Sequence, residues 1–72
     1  MEKKDFKVVP IMAKTDLKFK VMQLVAGEWC NMGEPRYLNY ISWTEPYYFG
    51  SKQDAETYIN DIIYVNNYEE ER

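Results

Sequence analysis

Residues 51–63 read Ser-Lys-Gln-Asp-Ala-Glu-Thr-Tyr-Ile-Asn-Asp-Ile-Ile, and this stretch decides the fold. Ser51 can accept a hydrogen bond as the N-cap of a helix, and Asp54 places a carboxylate in the first turn. The apolar residues recur at spacings of three and four, which is the period of one helix face. These residues are Ala55, Tyr58, Ile59, Ile62 and Ile63. The pattern predicts an amphipathic helix over residues 52–65.

The residues that follow this predicted helix are mostly polar. Asn66-Asn67 can end the helix, because asparagine tolerates the left-handed conformation found at helix stops. Residues 68–72 read Tyr-Glu-Glu-Glu-Arg and are predicted to form a polar tail.

Upstream of the helix, the chain has the two-residue period of β-strands. In Leu17-Lys-Phe-Lys-Val21 apolar residues alternate strictly with lysine, as in a half-buried strand. Ala26-Gly27 predicts a hairpin turn, and Pro10 restricts the first strand to a sheet edge because proline has no N–H to donate. Further turns are predicted at Gly33-Glu-Pro35 and Thr44-Glu-Pro46. The predicted strands cover residues 6–12, 17–25, 28–32 and 36–43, with a short fifth at 47–49.

Together these elements predict an α+β fold in a single domain over residues 1–72. The expected architecture is a three- to four-stranded antiparallel β-meander packed by one C-terminal amphipathic helix. A chain of 72 residues buries only about 60% of its unfolded surface, so the core should be thin. The composition, 46% hydrophobic and 17% aromatic, is typical of a chain that folds.

Charge is unevenly distributed within the net charge of −3. Residues 1–20 hold six lysines and three acidic residues, net +3, whereas residues 21–72 hold three basic and nine acidic residues, net −6. This asymmetry has two interpretations: a solvated surface that segregates by sign, or a dipolar surface that steers a basic partner to the C-terminal half.

The number of cysteines and the lengths of the apolar runs indicate the cellular compartment. Cys30 is the only cysteine, so no intramolecular disulfide can form, and a cytoplasmic location is expected. No apolar run of signal-peptide length follows the N-terminal lysines, and no stretch approaches the ~18 apolar residues that span a bilayer. We therefore expect no membrane association. Cys30 itself is predicted to be a small buried apolar residue, because no cationic residue lies near it in sequence to activate the thiol.

The residue types on which most enzymes and metal sites depend are missing. The chain has no histidine, which removes the commonest general base and metal ligand, and one cysteine cannot complete a structural zinc site. Asp54, Glu56 and Asp61 would lie on the solvated side of the helix, which argues against an acid/base pair. The sequence predicts no enzymatic activity, no catalytic residue, no metal and no cofactor.

Aromatic residues are concentrated between residues 37 and 49. Strand alternation predicts that one set of side chains faces the helix: Tyr37, Ile41, Trp43, Tyr47 and Phe49. Leu38, Tyr40 and Tyr48 should then point outward, where no second helix can cover them. Exposed tyrosines beside apolar residues are typical of protein-binding patches, so these three residues are predicted to bind a partner.

The junction Phe49-Gly-Ser-Lys-Gln-Asp-Ala-Glu-Thr-Tyr-Ile59 resembles the ending of many small phage and mobile-element proteins. In those proteins a strand phenylalanine leads into Ser/Thr-x-x-x-Ala-x-x-Tyr-Ile, and the resemblance covers about half of the chain. Such proteins are often accessory factors or inhibitors that bind host machinery, anti-CRISPR and other anti-defence proteins among them. The resemblance implies that the partner is a host protein.

The order of three strands and one helix is also similar to the arm-binding domains of tyrosine integrases and to plant AP2-type domains, which read DNA with the sheet. Those domains present arginine and lysine across the sheet. Lys18 and Lys20 match that pattern and are included among the predicted partner-binding residues, whereas Arg36 is the only arginine before the tail. Because duplex binders gain affinity by neutralising phosphates, a net charge of −3 makes nucleic acid the less favoured partner.

The sequence thus favours a non-enzymatic protein–protein interaction module, of the kind represented by phage-encoded inhibitors of host or defence machinery. Its partner would be a host protein or a second copy of the chain. Two alternatives stay open, namely a nucleic-acid-binding domain that uses its sheet and a self-assembling structural subunit.

Overall fold

A computed structural model describes residues 2–70 and confirms the predicted α+β class. The chain forms two antiparallel sheets and one C-terminal helix. The first sheet contains β1 (Phe6–Ala13), β2 (Asp16–Val25) and β3 (Glu28–Asn31), preceded by a short 3-10 turn at Lys3–Asp5. The second sheet contains β4 (Gly33–Leu38) and β5 (Ile41–Pro46), and the helix α1 covers Lys52–Glu70. Among the described residues no helix is long and apolar enough to cross a membrane.

The three-stranded sheet has β2 at its centre and β1 at one edge, which confirms the edge position predicted from Pro10. Pro10 lies opposite Phe19 in the β1–β2 ladder. The N–H and C=O groups of Phe19 instead bond Phe49 on the other side, at 2.9 and 2.8 Å. Pro10 therefore occupies a pair without hydrogen bonds, where its missing N–H removes nothing from the ladder.

The other side of β2 is shared by two separate segments. β3 pairs with the C-terminal half of β2, and Met32 continues that pairing by donating its N–H to the Val21 carbonyl. Further along the same side, Phe49 pairs with Phe19. Between these two segments the chain leaves the sheet as the β4–β5 hairpin, and the Tyr47 N–H bonds the Met32 carbonyl where it returns, at 3.1 Å.

The β4–β5 hairpin corrects the predicted strand at residues 36–43. The chain reverses at Asn39-Tyr40, so that Leu38 pairs with Ile41 and Tyr37 with Ser42. Asn39 takes a positive φ of 55°, a conformation that asparagine adopts more readily than most residues. The unbroken alternation of the sequence concealed this turn.

The turns predicted at Gly33–Pro35 and Thr44–Pro46 are also wrong, because these residues lie in β4 and β5. Both strands of a two-stranded sheet are edges, and at an edge a proline can direct its ring away from the ladder. Gly33 faces Pro46 at the base of the hairpin. A Cβ atom at Gly33 would collide with the Glu45 carbonyl, so this close approach of two backbones requires glycine.

The helix α1 begins as predicted and packs on one face of the three-stranded sheet. Ser51 caps it by accepting a hydrogen bond from the Asp54 N–H at 3.1 Å. The buried core consists of Phe6, Val21, Ala55 and Ile59. Other apolar side chains surround this cluster, including the helix residues Tyr58, Ile62 and Ile63. The predicted apolar helix face is thereby confirmed.

The end of α1 differs from the predicted stop at Asn66-Asn67, because the helix continues to Glu70. The Asn66 side-chain amide donates a hydrogen bond to the Ile62 carbonyl at 2.9 Å, so this polar side chain has a partner within the helix. The rings of Tyr64 and Tyr68 stack one turn apart with centroids 6.4 Å apart. Within the predicted tail, residues 68–70 are helical, and residues 71–72 lie outside the described part of the chain.

Candidate functional site

Among the described residues, the β4–β5 hairpin exposes more large apolar side chains than any other element. The two-residue turn places Leu38 and Ile41 opposite each other on one face, with Trp43 two residues further along β5 on the same face. Tyr37 lies on the reverse face, and Tyr40 is in the turn itself. All five are exposed, and Tyr40 is completely so. We call these five residues the hairpin surface.

The predicted inward set is wrong for its hairpin members. Tyr37, Ile41 and Trp43 do not share one face, because the turn at Asn39-Tyr40 interrupts the alternation on which the prediction relied. None of the three contributes to the core: Tyr37 is 75% exposed and Ile41 is 65% exposed. The helix covers only the three-stranded sheet, so both faces of the hairpin stay in solvent.

Charged residues lie nearer the base of the hairpin than its apolar tip. Glu34 and Glu45 are directly opposite each other across β4 and β5, an arrangement in which like charges repel. Arg36 forms an ion pair with Glu34 at 3.2 Å, and both side chains are about half exposed. An ion pair in solvent is worth about 1 kcal/mol or less, so it offsets this repulsion without holding the hairpin in place.

Lys18 and Lys20 lie on a different surface from the hairpin residues. Val21 on the central strand β2 is buried under the helix, so the alternating residues 18, 20, 22 and 24 face the opposite side of the sheet. The adjoining strands place further residues on that side: Lys7, Val9, Ile11, Trp29 and Asn31. We call this side the open sheet face. Trp29 remains 39% exposed there, and the Lys7 ammonium lies 4.3 Å from its ring centroid, which is a cation–π contact.

Tyr48 lies beside the open sheet face and away from the hairpin tip. Its neighbour Phe49 packs on Tyr58 of the helix with ring centroids 5.2 Å apart. Because successive side chains of an extended chain point to opposite sides, Tyr48 projects away from the helix. It is half-exposed. The predicted partner-binding residues are therefore divided between two surfaces, with Leu38 and Tyr40 on one and Tyr48, Lys18 and Lys20 on or beside the other.

Sequence reasoning missed Ile41 and Trp43 as members of the hairpin surface and Trp29 as a member of the open sheet face. The signal for the first two was Asn39, which tolerates the left-handed conformation that the turn requires. The signal for Trp29 was the Ala26-Gly27 turn. A two-residue turn places Trp29 opposite Leu24, which lies on the same side of β2 as Lys18 and Lys20. Both turn residues have positive φ values, 52° and 82°, as in a two-residue hairpin of type I′.

The aromatic residues that do lie inward form a small cluster under the helix. Tyr58 contacts Phe49 and also Tyr47, with Tyr47 edge-on at a centroid distance of 6.0 Å. Burial raises the pKa of the Tyr58 phenol above its ordinary value, and the nearby Tyr47 adds to the rise. These contacts stabilise the helix–sheet packing, and Tyr47 at the edge of the cluster stays 40% exposed.

Two shallow depressions flank the helix. One, of about 250 Å³, is lined by Lys3, Lys7, Lys52, Glu56 and apolar residues, and the other, of about 280 Å³, contains Asp61. Each holds a single carboxylate, so neither forms the paired arrangement that general acid/base catalysis uses. No group of three potential metal ligands occurs among residues 2–70.

Cys30 is exposed, so the prediction of a buried cysteine is wrong. It pairs with Gln23 of β2, and the helix packs mainly on β1 and β2 rather than on β3, the strand that holds Cys30. Its Sγ atom lies 3.9 Å from the Glu28 carbonyl, a weak hydrogen bond within its own strand.

Comparison with known proteins found no matching family model, no matching characterised protein and no matching solved structure.

Proposed function

We propose that the protein acts by binding another protein through its hairpin surface. The observation that supports this proposal is the combination of projection and composition in the β4–β5 hairpin. Every residue from 34 to 45 is exposed, yet five of them are large apolar or aromatic side chains grouped towards the tip. Aromatic residues supply large contact area with few rotatable bonds, which is why they dominate binding hot spots.

The total surface area also supports a binding role. The chain exposes 5717 Å², whereas a compact monomer of 8.7 kDa is expected to expose about 4,700 Å². The larger area means that part of the chain lies outside the compact helix–sheet packing, where its side chains are accessible to a partner. The hairpin contributes to the exposed area, because every residue from 34 to 45 is exposed.

The shape of the hairpin indicates the kind of surface it fits. A narrow element with apolar residues at its tip presents a convex surface, and such a surface gains most area when it enters a cleft. Tyr40 would enter first, with Leu38, Ile41 and Trp43 lining one wall of the contact. The carboxylates of Glu34 and Glu45 would stay near the rim, where they are solvated.

Occupation of a cleft on a host protein would block whatever normally binds there, which is how a small non-enzymatic protein inhibits larger machinery. We therefore include in the proposal the inhibitor role, the phage or mobile-element origin and the cytoplasmic location predicted from the sequence. A second copy of the chain is the competing occupant, because a self-assembling subunit would use the same apolar tip.

Binding can be tested with single substitutions on a tagged chain. Tyr40→Ala should remove a specific protein from the set captured in extract of the cells that encode the chain. It should then weaken binding to that purified protein, measured by calorimetry, by at least about 2 kcal/mol, the scale of a hot spot. The matched control is Tyr64→Ala, which truncates a tyrosine of the helix that is 71% exposed and should leave binding unchanged.

Light scattering on the purified chain separates the two occupants. A monomer that loses its captured protein on Tyr40→Ala supports the host-protein proposal. A dimer that becomes a folded monomer on the same substitution would replace it with self-assembly. Equal loss of binding in Tyr40→Ala and Tyr64→Ala would show that the hairpin is not the site.

A further inference from the structure

The open sheet face differs from the hairpin surface in its charge. Three lysines lie on it, Lys7, Lys18 and Lys20, and the nearest acidic residue on the same side is Asp16, at the end of β2 beside the turn. Within residues 2–70 none of the three ammonium groups has a carboxylate at ion-pair distance. The face is therefore positive on a chain whose net charge is −3.

Between and beside these lysines the face is apolar. Its uncharged positions include Val9, Ile11, Met22, Leu24 and Trp29. Leu24 and Trp29 are more than one-third exposed, and the others are partly exposed. A sheet face that no second layer covers usually carries polar side chains at alternating strand positions. The aliphatic residues on this face therefore indicate that a second apolar layer fits here.

The dimensions of the face select the covering element. Around residues 19–23 of β2, β1 lies on one side, and β3, Met32 and Phe49 follow one another on the other side. With chains about 4.8 Å apart, the face is about 10 Å wide there, which is the diameter of one α-helix. The β1–β2 ladder contains eight residue pairs, or about 27 Å, the length of a helix of about 18 residues. The opposite face of the same sheet already accepts one helix, α1, in this way.

From this geometry we propose that the open sheet face binds an acidic amphipathic helix of a partner protein. The apolar stripe of that helix lies along Val9, Met22 and Leu24, and its carboxylates meet Lys18 and Lys20. Charge complementarity selects an acidic helix over a neutral or basic one. Aliphatic positions outnumber aromatic ones, and the ring of Trp29 is already contacted by Lys7, so the face lacks the stacking platforms that single-stranded nucleic acid requires.

Trp29 offers a direct measurement of this binding. The chain has two tryptophans, and Trp43→Phe on the hairpin leaves Trp29 as the only one. The probe is a blocked peptide of about 18 residues with leucine and glutamate at helical spacing, and the control probe replaces each glutamate by glutamine. The acidic peptide should move the Trp29 emission to shorter wavelength with a saturable curve, because it excludes water from the ring.

Two double variants in this background test the charge requirement. Lys18→Gln/Lys20→Gln should weaken peptide binding at least about tenfold. Lys4→Gln/Lys52→Gln removes the same charge away from the face and should change the affinity less than about twofold. Binding of the acidic peptide should also weaken markedly between about 50 mM and about 500 mM sodium chloride. Circular dichroism of both double variants should match that of the parent chain, which checks that they fold.

Several results would overturn the proposal. Equal affinity for the glutamate and glutamine peptides, or equal weakening of binding in both double variants, would show that the charges of Lys18 and Lys20 do not select an acidic helix. Tighter binding of a DNA oligonucleotide of about 20 nucleotides, single-stranded or duplex, would assign the face to nucleic acid. An emission shift on concentrating the chain without peptide, with dimers in light scattering, would assign it to a second copy. Tyr40→Ala should not affect peptide binding, so this proposal and the hairpin proposal fail independently.

Discussion

The two sheets of this protein are both rich in aromatic and aliphatic residues, yet only the three-stranded sheet is covered by the helix. We call β1, β2, β3 and α1 the body. In the body, Val21 and Ala55 are completely buried, and Phe49 and Tyr58 pack ring against ring. In the hairpin every residue from 34 to 45 is exposed. The difference shows that apolar content does not determine burial; what determines it is whether a second layer lies across the sheet.

The largest expected effect comes from the same substitution made in each region. Ile59→Ala in the body should lower the free energy of unfolding by about 2–5 kcal/mol, because Ile59 is 3% exposed and its loss leaves a cavity. Ile41→Ala in the hairpin removes an exposed side chain and should change it by less than about 0.5 kcal/mol. Urea denaturation measures both. A loss of stability in Ile41→Ala as large as that in Ile59→Ala would mean that the hairpin packs on the body in solution.

A smaller effect is expected at the junction between the two regions. Gly33→Ala should destabilise the hairpin by about 1–3 kcal/mol, because its Cβ forces the backbone away from the Glu45 carbonyl. Hydrogen exchange should accelerate at β4 and β5 amides while β1 and β2 amides keep their protection. Gly50→Ala is the control, since a Cβ there meets no atom within 4 Å. Uniform acceleration across all strands would show that the regions unfold together.

Serine substitutions give a further contrast of about 1 kcal/mol. Ser51→Ala removes the N-cap hydrogen bond to the Asp54 N–H and should lower the stability of the body by about that amount. Ser42→Ala on β5 removes an exposed hydroxyl and should change stability by less than about 0.5 kcal/mol. Thermal unfolding of the two variants tests the pair. A larger loss for Ser42→Ala would show that its hydroxyl makes a contact in solution.

The smallest expected effect depends on pH. The raised pKa of Tyr58 means that the folded chain keeps the phenol proton to higher pH than the unfolded chain. Below about pH 9 both states hold the proton, and as pH rises through 10 the unfolded state loses it first, so stability falls. Tyr58→Phe should therefore reduce the loss of stability between about pH 9 and about pH 11. An unchanged alkaline slope in denaturant titrations would contradict the burial of this phenol.

The sequence predicted the body better than the hairpin, and the reason is physical. The helix start at Ser51, the apolar helix face and the central strand around Phe19 each depend on a local pattern that packing then reinforced. The hairpin depends on one left-handed residue, Asn39, and on two prolines that an edge strand tolerates. Local patterns do not distinguish an edge proline from a turn proline, so the strand and turn assignments there were wrong.

The two candidate surfaces were predictable only in part. Leu38, Tyr40 and Tyr48 were predicted to point outward and are exposed in the structure; their binding role stays a prediction. Their division between two surfaces could not be foreseen, because it follows from the return of the chain to β2 at Phe49. That pairing joins residues thirty positions apart, Phe19 and Phe49, and no local pattern specifies it.

The hydrogen bond between Met32 and Tyr47 brings the entry and exit of the hairpin together. A segment whose ends already meet can be lengthened, shortened or exchanged at little entropic cost to the rest of the chain. Related chains could therefore keep one helix–sheet scaffold and vary residues 33–46 as a cassette, much as antibody domains vary their loops. Replacement of the cassette would then change the hairpin surface and leave the open sheet face in place.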